Sequence, residues 1–382
     1  ARVSVVSPLR AGLVGWTMLV AGLALAGESG HATLRGAYHG KFLVGVALGS
    51  HQIEGRQPGA GLLAAAQFSA LTPENAMKWE SLHPRPDRYD FAAADAFAEF
   101  ASRHRMELIG HTLVWHSQTP AWVFRGVDGK PATRDELLER MRGHIRTVVG
   151  RYRGKVKGWD VVNEALADGG GYLRESGWTR ACGEEFIAKA FEYAHAADPE
   201  ALLIYNDYNN ELDGKREQML KLLASLRARG TPVHAVGLQG HYELDRIPFA
   251  ALEKTLIALR AAKLKVVVSE LDIDVIPPGR WWADGGKHRA ELAKVNPYAD
   301  GCPPEILARQ AEQYAQLFRL FRKYDDVIDR VSFWNLHDGQ SWLNNFPWKR
   351  VNHPLLFDRQ GKPKPAFDAV VKELTVGAAK GK

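Results

Sequence analysis

Cysteine is nearly absent: the 382 residues include only Cys182 and Cys302. Two cysteines exclude a disulfide-stapled fold, and their spacing forms no C-x-x-C metal or redox pair. A single bridge between them remains open. On the strand assignment below they follow the fourth and seventh strands, which are not neighbours in a ring of eight, and this favours two separate thiols. No block of five or more Lys/Arg occurs, so a nucleic-acid partner is not indicated. No glycine-rich phosphate turn follows the first strand, because Gly45-Val46-Ala47-Leu48-Gly49 lacks a third glycine and the acidic residue that a dinucleotide site requires. No internal repeat, low-complexity tract or Ser/Pro-rich linker divides the chain.

The long uncharged apolar run is confined to residues 11–26. It follows Arg2 and Arg10 and ends in Ala24-Leu25-Ala26 before Gly27. A basic start, an apolar middle and a small-residue end read as a secretory signal peptide, with an uncleaved anchor as the alternative. The run is too short for a comfortable membrane span. The expectation is export, to the medium or the periplasm, with residues 27–382 as one mature domain holding no stable membrane association. Loss of Arg2 and Arg10 lowers the formal charge from +6 to +4. With 46% hydrophobic and 25% charged residues, the chain has the composition of a globular protein with an ample core.

After Gly27, short apolar β-branched runs alternate with amphipathic stretches. Strands are predicted at 42–47, 68–71, 107–113, 158–162, 202–206, 235–238, 266–271 and 331–334. Helices are predicted at 92–104, 134–149, 184–197, 215–229, 249–262, 305–324 and 366–374. In the helix at 305–324, Leu307, Ala311, Tyr314, Phe318 and Phe321 recur at spacings of three and four and are expected to face the barrel wall. Eight strands joined through helices imply parallel pairing and right-handed crossovers, so the expected fold is an α/β class (β/α)8 TIM barrel. A doubly wound open sheet competes, but without its phosphate turn.

Two of the strands end in a glutamate: Trp159-Asp160-Val161-Val162-Asn163-Glu164-Ala165 and Val266-Val267-Val268-Ser269-Glu270-Leu271-Asp272. Taken singly, each is as readily a solvated loop acid or a first-turn acid favoured by a helix dipole. Together, at the C-terminal ends of two barrel strands, they suit a pair of carboxylates that divide proton donation and nucleophilic attack on a sugar. Other strand ends are polar and aromatic as well: Glu74, Asn75, Lys78 and Trp79; His111, Trp115, His116 and Gln118; Asn206 and Tyr208; Gln239 and His241; Trp334, His337 and Trp342. Amides, carboxylates and ammonium groups match sugar hydroxyls, and indoles match the apolar faces of sugar rings. A lone histidine or tryptophan is more often a core residue, and His111 with His116 lacks the spacing and the third ligand of a metal site. No metal and no cofactor are expected.

The segments at 72–79, 110–120, 159–165, 206–209, 237–241, 269–272 and 354–358, in this order, resemble the endo-β-1,4-xylanases of glycoside hydrolase family 10. The resemblance covers most of the mature chain. It implies a retaining endo-β-1,4-xylanase with Glu164 as acid/base and Glu270 as nucleophile. Asn163 would hold the hydroxyl beside the reacting carbon, and His241 would bond Glu270 while being held by Asp272. Glu74, Asn75, Lys78, His111, Trp115, Gln118, Gln239, Trp334 and Trp342 would line the non-reducing side of the cleft, and Tyr208 the leaving-group side. Xylan and xylo-oligosaccharides are the implied partners, and a monomer is expected. Two positions depart from the family: Asn335 stands where glycine is usual, and His337 where threonine is common.

The same barrel acting on glucan or mannan is the alternative, and a non-catalytic carbohydrate-binding barrel would be expected to have lost one glutamate. Residues 276–304 form a Gly/Pro-rich connection after Glu270 that carries Trp281 and Trp282. At least one of these indoles is expected to rim the cleft, unless both anchor the connection.

Overall fold

A computed structural model describes residues 32–378 except 127, 170 and 277–293. The predicted signal peptide, Trp281 and Trp282 lie outside the described residues. Nine strands form the sheet: β1 (Leu43–Leu48), β2 (Ala70–Pro73), β3 (Glu107–Trp115), β4 (Val156–Asn163), β5 (Leu202–Asp207), β6 (Ala235–Leu238), β7 (His241–Glu243), β8 (Lys265–Asp274) and β9 (Ile328–Phe333). Every pairing is parallel, in the order β6-β5-β4-β3-β2-β1-β9-β8, and β6 pairs with β8 to close the ring. The closed ring has eight places because β7 pairs with β8 beyond the end of β6. This is the (β/α)8 barrel expected from the sequence.

The strands are buried on both faces, which is why they read as near-continuous apolar runs. Helices cover the outer face. The helix Arg134–Arg151 begins at a capping box, in which Thr133 accepts from the Glu136 N–H while the Glu136 carboxylate accepts from the Thr133 N–H. The helix Pro304–Lys323 starts with Pro304 and Glu305 and ends in Arg322 and Lys323, both in keeping with its dipole. Its buried stripe includes Ile306, Gln310, Tyr314, Leu317, Phe318 and Phe321, and Phe318 stacks on Phe333 of β9 with centroids 6.0 Å apart. The expected stripe is corrected at one position. Leu307 is only half-buried, because a wider helical face presents Ile306 to the barrel in its place.

Other departures are at element ends. β8 runs on to Asp274, so Asp272 lies within the strand rather than after it. The three-residue β7 has too little pattern to be assigned from sequence. Cys182 is buried, Cys302 is half-buried, and both are free thiols.

One glycine sets the packing of two adjacent strands. Gly110 of β3 is registered against Trp159 of β4, and a Cβ at Gly110 would fall 2.0 Å from the Trp159 ring. Gly110→Ala is therefore expected to lower the unfolding free energy by about 1–3 kcal/mol, the range for overpacking. Gly143→Ala, placed in open space within the helix Arg134–Arg151, is expected to raise it by about 0.5–1 kcal/mol. Urea unfolding of both variants checks the pair, and equal stability of the two would contradict the account.

Candidate active site

Register brings the polar strand ends to one level. Trp115 pairs with Asn163, Asn163 with Asn206, and Asn206 with Gly237 across β3, β4, β5 and β6. Glu164 follows β4 in the left-handed region, at φ 57°, a conformation that costs a non-glycine residue roughly 1–2 kcal/mol. Its N–H donates to the Asn206 carbonyl at 2.9 Å. Its half-buried carboxylate accepts from Trp115 Nε1 at 3.0 Å on one oxygen, and from Gln239 Nε2 at 3.0 Å and Asn163 Nδ2 at 3.3 Å on the other. All three donors are neutral.

Glu270 has different surroundings. It is buried in β8, where Asn206 Nδ2 donates to Oε1 at 2.9 Å and His241 Nε2 to Oε2 at 3.1 Å. The other ring nitrogen, His241 Nδ1, donates to Asp272 Oδ1 at 3.0 Å, and Trp342 Nε1 donates to Asp272 Oδ2 at 2.8 Å. Burial works against a charged imidazole, but the two carboxylates prevail and lift His241 to about 10, so it is an imidazolium at neutral pH. Burial also pushes the Glu270 carboxyl up. The His241 hydrogen bond, the charges of His111 and His241 and the Asn206 bond outweigh it, and Glu270 lies below the usual carboxylate value. Asp272 is raised by its burial despite His241 and Trp342.

The backbone makes this triad possible at Gly240. At φ 79° the chain bends between β6 and β7, and His241 comes into register with Asp272. Asn163 and Asn206 bridge the two glutamates: Asn206 Nδ2 donates to both Glu270 and Asn163 Oδ1, while Asn163 Nδ2 donates to Glu164. The two carboxylates are thus held across one pair of amides, one buried beside a cation and the other more open beside neutral donors.

Around them stand the remaining residues singled out by sequence. Lys78 Nζ donates to Asn75 Oδ1 at 3.0 Å and Gln118 Oε1 at 2.7 Å, and lies 5.0 Å over the Trp115 ring. Burial depresses Lys78, opposed by the charges of Glu270, Glu74, Glu164 and Glu80. Burial raises Glu74, opposed by the Asn335 amide and by Lys78, His51 and His111. His111 Nδ1 donates to Asp160 Oδ2 at 2.8 Å, and its ring meets the edge of Trp334 at 5.2 Å. Trp342 lies 4.9 Å from the His241 ring. The Tyr208 hydroxyl bonds Arg174 and Asp168 rather than either glutamate.

The two departures from the family are accommodated. Asn335 sits at φ 90°, where glycine is the easiest residue, and its Oδ1 accepts from the Trp342 N–H at 3.1 Å. His337 is buried against Gln57, and its Nδ1 accepts from the Gly339 N–H at 3.2 Å. Sequence reasoning placed Asn206 at a polar strand end without a role, and it gave no role to Asp160 or Arg174. The signal for the first two was a polar side chain inside a buried strand; Arg174 gave none.

The family model for glycosyl hydrolase family 10 matches residues 33–373. An endo-1,4-beta-xylanase of Geobacillus stearothermophilus is 44% identical over 346 residues, 89% of this chain and 98% of that protein. Endo-1,4-beta-xylanase A of Xylanibacter ruminicola is 42% identical over 336 residues, 87% of this chain and 90% of that protein. A solved endoxylanase of the same family from a sugarcane soil metagenome superimposes with a TM-score of 0.84 at 40% identity, covering 90% of this chain and 100% of that one. On these grounds the chain is a member of glycosyl hydrolase family 10.

Proposed function

We propose that the protein is a retaining endo-β-1,4-xylanase in which Glu270 is the nucleophile and Glu164 the acid/base. The observation that carries the assignment is the contrast between the two carboxylates: Glu270 is buried against the His241 imidazolium, while Glu164 is half-buried among neutral donors. In the first step Glu270 attacks the anomeric carbon, the glycosidic bond breaks, and its electron pair leaves with the oxygen, which takes the Glu164 proton. Water then attacks the same carbon, Glu164 takes a proton from it, and Glu270 departs as a carboxylate. Two inversions give retention. Neither step requires a metal or a cofactor.

Xylan and xylo-oligosaccharides are the substrates of this reading. Glu74, Asn75, Lys78, Gln118, Trp334 and Trp342 line the glycone side, and Tyr208 the leaving-group side. Asn163 holds the hydroxyl beside the reacting carbon. The family and the names of its relatives support xylan over glucan or mannan. No described helix is long and apolar enough to cross a membrane, and the basic, apolar, small-residue order of residues 1–26 supports export to the medium or the periplasm. We assign the working form as a monomer.

Glu270→Ala is expected to lose turnover of every glycoside. Glu164→Ala should still cleave aryl xylosides with an activated leaving group in the first step, and azide should accelerate it and give a glycosyl azide of retained configuration. Equal loss in both variants on the activated substrate, without an azide product, would overturn the roles. The sugar choice has its own measure, the ratio of kcat/KM on aryl xylobioside to that on aryl cellobioside. A cleft fitted to xylose should favour the former by about 10–200-fold, because an added hydroxymethyl group must clash or displace a hydrogen-bonding partner. Parity would favour a glucanase.

A further inference from the structure

Glu164 is held in a left-handed conformation, and apart from Asn206 the groups that hold its main chain touch neither carboxylate. Its carbonyl accepts from Arg174 Nε at 2.9 Å. Arg174 Nη2 donates to Tyr208 Oη at 2.7 Å and to Asp168 Oδ2 at 2.9 Å, and the Arg174 N–H donates to the Ala165 carbonyl at 2.8 Å. The chain therefore folds back after Glu164, through the bridge Leu166–Leu173, so that Arg174 fastens the same turn.

The network continues inward. Lys215 Nζ lies 2.9 Å from Asp168 Oδ1 and 2.8 Å from Asp207 Oδ1, with Lys215 and Asp207 buried. Asp207 Oδ2 accepts from Tyr205 Oη at 2.6 Å and from the Leu166 N–H at 3.4 Å. Four charges alternate, Arg174, Asp168, Lys215 and Asp207, and sum to zero. Together with the Asn206 carbonyl they fix four backbone atoms of residues 164–166: both polar atoms of Glu164, the carbonyl of Ala165 and the N–H of Leu166.

We propose that Arg174 is a positioning residue for the acid/base glutamate: by fixing the Glu164 main chain it aims the Glu164 carboxyl at the leaving-group oxygen. This rests on Glu164 being the acid/base. Arg174 touches no reacting atom on this view. Because Arg174 also bonds the Tyr208 hydroxyl on the leaving-group side, the guanidinium sets the acid and the wall of that subsite in one frame. Glutamate is a poor residue for a positive φ, so without the carbonyl bond the turn is free to relax toward ordinary φ and swing the carboxyl away.

The test is the dependence of kcat/KM on leaving group, measured with aryl xylobiosides from activated dinitrophenyl to poor phenyl. The native enzyme, Arg174→Met, Arg174→Lys and Glu164→Ala are compared, with melting temperatures recorded. A misaimed acid should cost ~10–100-fold on the phenyl substrate and under ~3-fold on the dinitrophenyl one, because an activated group needs little proton. Azide should raise kcat of Arg174→Met on the dinitrophenyl substrate, since the second step also loses base assistance. Arg174→Lys keeps the charge but lacks the planar fork, and should show the same steepened dependence in smaller measure. If Arg174→Met does not fold, Arg174→Lys carries the comparison. An equal loss across leaving groups, with Glu164→Ala still steep, would overturn the proposal and leave the acid/base assignment standing. A shallow dependence in Glu164→Ala would instead overturn the assignment itself.

Discussion

A carboxylate buried in a barrel strand takes up a proton unless something holds its charge. Here that is the His241 imidazolium, set between Glu270 and Asp272. Removing either acid would leave a half-buried histidine with too little partner charge, and removing the histidine would leave two buried carboxylates, each an expensive state. Asp272 is in turn bonded by Trp342, whose loop is fixed by Asn335. The ring of contacts runs from Glu270 through β7 and β8 to the loop after β9, so the charge of one side chain and the placement of the Trp342 indole are the same problem.

The barrel solves the geometry by register. Strands that pair in step put Trp115, Asn163 and Asn206 side by side, and their amides and indole divide themselves between the two glutamates. Glu164 receives donors without charge, while Glu270 receives a cation. Two residues of one chemical type thereby acquire different electrostatic surroundings from position alone. The strain at Glu164 belongs to the same arrangement: Glu164 leaves β4 in a left-handed turn, and its carboxylate meets Gln239 and Trp115.

How far the sequence disclosed this depends on the range of the interaction. Strands were legible because a doubly covered parallel strand must be apolar throughout, and the helix Pro304–Lys323 because its stripe repeats with the helical period. Leu307 was misplaced since a wide stripe admits either of two adjacent residues. Glu164 and Glu270 stood out as charge at the ends of apolar runs. His241 and Asp272 could be paired only through resemblance, because β7 is three residues long and its register depends on the bend at Gly240. Arg174 had no local signature at all: its role comes from a loop that returns to the carbonyl of a residue ten positions earlier. Asn335 was legible as a departure from glycine, and the physical reason appeared only with its φ of 90°.

The central claim is that His241 keeps Glu270 ionised. The acidic limb of the kcat/KM profile reports ionisation of the free enzyme's nucleophile, and His241→Asn removes a positive charge and a hydrogen bond while burial remains. The Glu270 carboxyl then stays protonated to higher pH. The account predicts that the limb moves upward by about 1–3 pH units in His241→Asn. A limb that stays at the native position, whatever happens to the maximal rate, would contradict it.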